Sequence, residues 1–262
     1  MDDLKTRLSP DFHHVAIGDD ARVFDMLTDP AYNLAVWENA ASQKVIQYFE
    51  SLTEQDIKHM LDTGIGHSAS YSPETRDYIA NELSQLLPSK DGKPETIAFL
   101  MHMNEMFYHF IDRPFVGAFR LNKGIDTIQG MHADNIDFRA FVSLSRYADE
   151  NDGDGSTRFI NNSEANAMLR EAYPELTPDI AIKSNKAHIA EHMIKRNPQT
   201  NSLNFGVGNV SVFAGAKSDR IPLFHSRANL TITKPSPSLR RVAYILSPTS
   251  SVIRKSARGL TV

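Results

Sequence analysis

A chain of 262 residues without cysteine has room for one large domain with a sizeable core, and it excludes disulfides, thiolate metal sites and a cysteine nucleophile. With 28 Lys+Arg against 32 Asp+Glu, the net charge of -4 is too small in either sign to imply a polyanionic partner, so no nucleic acid is expected. The N-terminal MDDLKTRLSPDFHH has no apolar signal region, and no apolar run approaches membrane-spanning length; the expectation is a cytoplasmic protein that does not enter a membrane.

Taken in chain order, residues 41–63, 74–87 and 94–111 repeat apolar side chains every three or four positions, the period of an amphipathic helix. Pro94-Glu95-Thr96 suits a helix start. The first 112 residues are therefore read as a mainly helical region that packs on a β-rich remainder. After Pro114 the texture changes to short β-rich runs separated by turn clusters: FVGAFRLN, DTIQGMHAD, FRAFVSLS, STRFI, NSLNFGVG, NVSVFAG, PLFHSR, LTITK and RRVAYILS. Runs this short and numerous predict an antiparallel sandwich or barrel, so the fold class is α+β with a mainly β core over 113–262. Residues 161–200 read as a polar helical insertion between strands, in the position of a lid.

The stretch GMHADNIDF, residues 130–138, carries His132 and Asp134 two apart. On a strand such residues point the same way with Cα atoms roughly 6.5 Å apart, so both reach one ion. Ten histidines and about one acidic residue in eight give roughly one such pair by chance, so the pair alone decides nothing. Further residues change this. His225 stands on a predicted strand 93 residues after His132, and Arg241 follows 16 residues later on the last one. Two histidines and a carboxylate on one face of a metal leave three adjacent positions open, the pattern of non-haem Fe(II) oxygenases. An arginine in the same barrel clamps a carboxylate through two parallel hydrogen bonds.

This set resembles the iron(II)/2-oxoglutarate-dependent oxygenases, whose order is His-x-Asp, a long gap, a distal His, then an Arg on the last strand with a small residue two positions on. His132, Asp134, His225, Arg241 and Ala243 stand in that order. FRLNKGIDTIQGMHAD resembles the strand-turn-strand leading into the motif in prolyl-hydroxylase-like members, with Arg120 and Gly124 in the corresponding places. FVSLSRYADENDGDGSTRFI resembles their next strand, acidic turn and Gly-Gly-x-x-Arg-Phe strand. The likeness spans about residues 115–247, with the insertion unmatched.

The resemblance implies a double-stranded β-helix, a jelly-roll or cupin-like barrel, with a helical N-terminal region and a helical insertion. It implies Fe(II) held by His132, Asp134 and His225, 2-oxoglutarate as cosubstrate, and Arg241 paired with the far carboxylate of that cosubstrate. No catalytic residue beyond the metal ligands is implied. Leu121 stands where many members place a cosubstrate-binding tyrosine, which makes Asn122 the candidate for that contact. Arg240 stands beside Arg241, and strand alternation admits only one of them to the interior. The small Ala243 two positions on favours Arg241, with Arg240 as the alternative. The implied reaction is hydroxylation of a C–H bond with release of succinate and CO2, desaturation remaining open. Asp134 argues against the halogenating relatives, which carry Ala or Gly there. Mixed charge in the helical region and the insertion points to a small polar metabolite, an amino acid or natural-product intermediate. A protein side-chain hydroxylase and a non-catalytic β-barrel binding protein are the alternatives. Oligomeric state is not readable.

Rival motifs read as structure. His188-Ile-Ala-Glu-His192 matches the inverted zinc-peptidase motif, but no glutamate follows Glu191 to complete that site, so an exposed helix is expected. DENDGDGS has no register that satisfies a calcium loop, and GVGNVS lacks the third glycine of a dinucleotide fingerprint. GIGHSAS, residues 64–70, comes closest to a nucleophile elbow and ends in the wrong residue. His13, His14, His59, His67, His102 and His109 receive no role. Trp37 is expected in the core or at a contact between domains.

Overall fold

The computed structural model describes residues 4–123, 133–134, 136–145, 157–172, 203–226 and 240–248. Its helices are α1 (Leu4–Arg7), α2 (Gln43–Glu50), α3 (Glu54–Thr63), α4 (Arg76–Leu86), α5 (Lys93–Ile111) and α6 (Asn162–Ala172). Its strands are β1 (Val15–Gly18), β2 (Leu34–Trp37), β3 (Phe115–Lys123), β4 (Phe138–Ser143), β5 (Arg158–Phe159), β6 (Leu203–Asn204), β7 (Val210–Ala214), β8 (His225–Ser226) and β9 (Arg240–Pro248). A large sheet runs β1-β2-β7-β4-β9-β3, with β1 and β2 parallel and the other pairs antiparallel. A small antiparallel sheet runs β6-β5-β8. The result is a mixed α/β molecule with a large, mostly antiparallel sheet.

The long helices begin where local chemistry satisfies their first amides. Ser42 accepts from the Val45 amide, and Thr53 and Asp56 form a reciprocal capping box ahead of α3. Residues 51–53 break the 41–63 periodicity into two helices at that cap. The apolar stripe of α5, with Leu100, Met103 and Phe107 fully or almost fully buried, lies on one face of the large sheet. Each such side chain contributes roughly 1.5–3 kcal/mol of burial, well above any helix propensity.

Strand alternation splits the large sheet into two faces. On β9, Val242, Tyr244 and Leu246 join the helix-side core, together with Phe119, Val142 and Val212. Ala243 joins the opposite cluster with Phe141 and Phe213, against Phe159, Phe205 and Leu223 of and around the small sheet, and Ile245 packs on it. The aromatic rings of Phe141, Phe159 and Phe213 each approach Phe205, with centroids 5.1–5.9 Å apart. A layer of aromatic rings therefore separates the two sheets.

Two segments correct the expectation of a helical first 112 residues: 15–18 and 34–37 are strands of the large sheet. The runs VAI and LAV are too short to carry a period, and the pairing of β2 with β7, Leu34 opposite Phe213, decides their state. The GIGHSAS segment is also structural. Phe119 and Tyr71 amides donate to Ile65 and Phe115 carbonyls, and the His67 amide to Gly117, so the segment covers the free edge of β3. Trp37 is half-buried, its indole N–H on the Asp19 carbonyl and its ring edge-on to the exposed His102. The GVGNVS turn holds Gly206 and Gly208 at φ +89° and +83°, a left-handed backbone that favours glycine, and Asn209 donates back to the Phe205 carbonyl. Among the described residues no helix is long and apolar enough to cross a membrane.

His14, just before β1, is fully buried, and neither ring nitrogen has a hydrogen-bond partner among the described residues. Burial first, and then the neighbouring His13, lowers its pKa to about 4. As pH falls below 6.5 the unfolded chain takes up a proton that the folded chain refuses until about pH 4. Stability is therefore full above pH 6.5 and falls through that window, by about 3 kcal/mol from this group. His67, also lowered mainly by burial, adds in the same direction. Denaturant unfolding at pH 7.5 and 4.5 is expected to show a smaller acid loss in His14→Leu than in wild type. Equal losses would mean that His14 is not a source of the acid sensitivity.

Candidate metal centre

The segment before β4 is held against the end of β7 by three backbone hydrogen bonds. Gly215, Ala216 and Lys217 amides donate to the carbonyls of Asp137, Asp134 and Ile136, at 2.7, 2.7 and 3.0 Å. Ala133 and Ile136 are buried on either side of Asp134. Asp137 accepts from Arg113 Nη2 at 2.5 Å, tying this segment to the chain between α5 and β3. The backbone around Asp134 is thus set from two directions.

His225 opens β8, directly across from Phe159 of β5, with its ring 4.8 Å from that of Phe213. The next pair in the register locks the same strand: Arg158, 5% exposed, donates from Nε to the fully buried Ser226 hydroxyl at 2.9 Å. Arg158 and Phe159 thus position the histidine-bearing strand.

Asp134 and His225, 91 residues apart in sequence, meet with Oδ2 and Nε2 at 3.5 Å, both side chains nearly buried. His225 Nδ1 lies 3.3 Å from the Leu223 carbonyl. A carbonyl only accepts, so Nδ1 is the donor there, and Nε2 is the nitrogen that faces the carboxylate oxygen. An imidazole nitrogen and a carboxylate oxygen this close form a pair that a proton or a metal ion can bridge. Nitrogen and oxygen ligands at about 2.1 Å from a divalent ion lie roughly 3 Å apart when adjacent, so the pair fits the edge of such a site with little adjustment. Arg139, on β4, donates from Nη1 to the same Asp134 oxygen at 2.5 Å and from Nε to Ser247 of β9 at 3.1 Å.

His132 lies outside the described residues, as do the DENDGDGS turn and the His188–His192 segment. Among the described residues no group of three potential ligands gathers. Asn122, Arg240 and Arg241 are described in their backbone only. Position 122 pairs with 241 across β3 and β9, and position 123 with 240. Leu121 packs against the helix-side core, away from the face that carries Ala243. Two fully buried hydroxyls on that inner face, Ser143 directly across from Ala243 and Ser211 across from Phe141, have no hydrogen-bond partner among the described residues.

Sequence reasoning missed Arg139, Gly215, Ser143 and Ser211. Arg139 had one legible signal: it interrupts FRAFVS, a strand otherwise apolar on both faces over its first five positions.

No protein-family model and no curated protein matches the chain. Similar solved structures include a Pseudomonas putida prolyl-4-hydroxylase, with a TM-score of 0.39 and 12% identity over 87% of this chain and 92% of that one. They also include a bsmA homolog from Methylobium petroleophilum PM1, with a TM-score of 0.37 and 15% identity over 87% and 91%. Scores this low establish neither a shared fold nor a shared reaction, so what the site can do rests on its own residues.

Proposed function

We propose that the chain is an Fe(II)- and 2-oxoglutarate-dependent oxygenase that hydroxylates a C–H bond of a small polar metabolite. The observation that carries this reading is the meeting of Asp134, in the segment before β4, with His225 of β8, a carboxylate oxygen and an imidazole nitrogen at 3.5 Å. The chain path supports it. From β4 onward the described strands alternate between large and small sheets, β4 in the first, β5 and β6 in the second, then β7, β8 and β9 by turns, an alternation that a double-stranded β-helix would also have.

In this reading His132 joins Asp134 and His225 to hold Fe(II), which when bound supplies O2 activation coupled to decarboxylation of 2-oxoglutarate to succinate and CO2. Alternation on β9 groups position 241 with Ala243 and Ile245 on the face toward the small sheet, and position 240 with Val242 on the helix side. This favours Arg241 over Arg240 as the clamp for the far carboxylate of the cosubstrate. Asn122, paired with 241 in the register, takes the place that Leu121 cannot fill, and the Ser143 and Ser211 hydroxyls, without a partner among the described residues, supply further donors. The phenylalanine layer excludes water from the reaction. A carboxylate at 134 leaves no room for a chloride ligand, which places hydroxylation ahead of halogenation. Net charge near zero favours a small polar substrate over a polynucleotide.

Anaerobic titration of the metal-free protein with Fe(II) and 2-oxoglutarate is expected to produce a weak visible charge-transfer band that His225→Ala and His132→Ala both lose. A wild-type protein without the band sinks the reading. In the same titration Arg241→Ala is expected to weaken 2-oxoglutarate at least tenfold more than it weakens Fe(II), since an unpaired buried carboxylate costs about 2–5 kcal/mol. An effect confined to Arg240→Ala would move the role to that residue.

A further inference from the structure

Arg139 has no part in the proposed reaction, yet it stands against the carboxylate on which that reaction depends. It enters from β4 on the inner face that carries Phe141 and Ser143, with its side chain 20% exposed. A guanidinium in such a place loses hydration, and it persists there only when its donors are paired. Two elements pair it. Nη1 donates to Asp134 Oδ2 at 2.5 Å, and Nε donates at 3.1 Å to the hydroxyl of Ser247, a 5% exposed residue near the far end of β9. The guanidinium is planar, with its donors in a rigid fork, so fixing Nε on Ser247 also fixes where Nη1 points. The Asp134 oxygen that it holds is the one facing His225 Nε2.

We infer that Arg139, braced by Ser247, is the positioning residue for the metal-ligating carboxylate, holding Asp134 turned toward His225. This rests on the proposed role of Asp134 and His225 as ligands. A ligating carboxylate has two oxygens and a freely rotating terminal bond, so a fixed donor on one side selects the orientation it presents to the ion. A purely electrostatic role makes the opposite demand. A guanidinium beside a divalent site repels the ion, and its removal would then tighten binding.

Co(II) added to the full, metal-free chain separates these cases, because its visible d–d spectrum reports ligand geometry and its titration reports affinity without turnover. Arg139→Met is expected to lower Co(II) affinity ten- to a hundredfold and to shift the d–d band. Arg139→Lys, which keeps the charge and a donor, is expected to recover part of both. Ser247→Ala is expected to act in the same direction by a smaller factor, and Arg139→Met with Ser247→Ala to be no weaker than Arg139→Met alone. Unchanged or tighter Co(II) in Arg139→Met, with thermal unfolding intact, overturns the inference and leaves the metal site standing. If Arg139→Met does not fold, wild-type affinity and spectrum in both Arg139→Lys and Ser247→Ala overturn it. A wild-type chain that takes up no Co(II) removes the metal site itself, and the inference with it.

Discussion

Gly215→Ala is expected to lower stability by about 3 kcal/mol and, on the proposed assignment of Asp134 as a ligand, to abolish Co(II) binding. A Cβ at 215 would stand 2.2 Å from the Ile136 carbonyl oxygen and 2.6 Å from that of Asp134. Both obstacles are backbone, and they cannot turn aside as a side-chain tip does. They are also the acceptors of the Lys217 and Ala216 amides, in the three-bond ladder that joins the end of β7 to residues 134–137. Relieving the clash means separating these segments and giving up bonds worth about 1 kcal/mol net apiece, with the cost of repacking the buried Ile136 added. For a chain of this size, 3 kcal/mol lowers Tm by roughly 6–12 °C. The metal effect has a geometric cause. Ligand distances tolerate about 0.2 Å, whereas the clash demands a displacement of roughly 0.5 Å in the residue that carries the carboxylate and more in Ile136 beside it. Calorimetry together with a Co(II) titration checks both parts, and a Gly215→Ala protein with wild-type Tm and affinity would show that the segments are not held this closely.

Gly117→Ala acts on the other face of the large sheet and is expected to cost at least as much stability, with no loss of Co(II) binding at the proposed site. Its Cβ would lie 2.2 Å from Tyr244 Oη, 2.8 Å from Cζ and 2.5 Å from His67 Nε2. Neither neighbour can withdraw. Tyr244 is fully buried on β9, accepts from Asn104 Nδ2 of α5 at 3.2 Å and lies 4.8 Å from the Phe119 ring. His67 is held with Nδ1 2.7 Å from the Ala69 carbonyl. Burial pushes the Tyr244 phenol up and the His67 imidazole down, so both stay neutral and pack as a dense polar knot between helix and sheet. Forcing a methyl into it costs about 3 kcal/mol. The closest contact is to a hydroxyl, which provides an internal check. In a Tyr244→Phe background the cost of Gly117→Ala is expected to shrink by about 1 kcal/mol or more, a non-additivity read from urea midpoints. Strict additivity would place the strain elsewhere.

Both glycines show where sequence reading stops. Gly117 and Gly215 are two of thirteen, and nothing in their flanks marks them, because the atoms that exclude a Cβ come from Tyr244, some 130 residues on, and from residues 134–136, some 80 back. Arg139 was legible as an oddity, a charge in an apolar strand, but its partner Ser247 became known only from the pairing of β4 with β9. The short strands β1 and β2 are the same case at the level of secondary structure. Four residues carry no period, and a neighbour supplied by β7 makes them a sheet.

By itself the sequence determined what depends on neighbours a few residues away. The helices of 43–63, 76–86 and 93–111 arise from a 3.6-residue apolar period and from caps such as Thr53 with Asp56. The strands of 115–123, 138–143, 210–214 and 240–248 arise from β-branched and aromatic runs between turn clusters. It also put His132, Asp134, His225 and Arg241 forward as one set, through a pattern of order and spacing. Only the tertiary structure decided which residues face each other: that Asp134 and His225 come within 3.5 Å, that Arg139 stands on the same carboxylate oxygen, and that Leu121 turns toward the helices. Periodicity is a property of the local chain, whereas each of these meetings joins strands distant in sequence through register and the face each residue takes, which a one-residue slip would reverse.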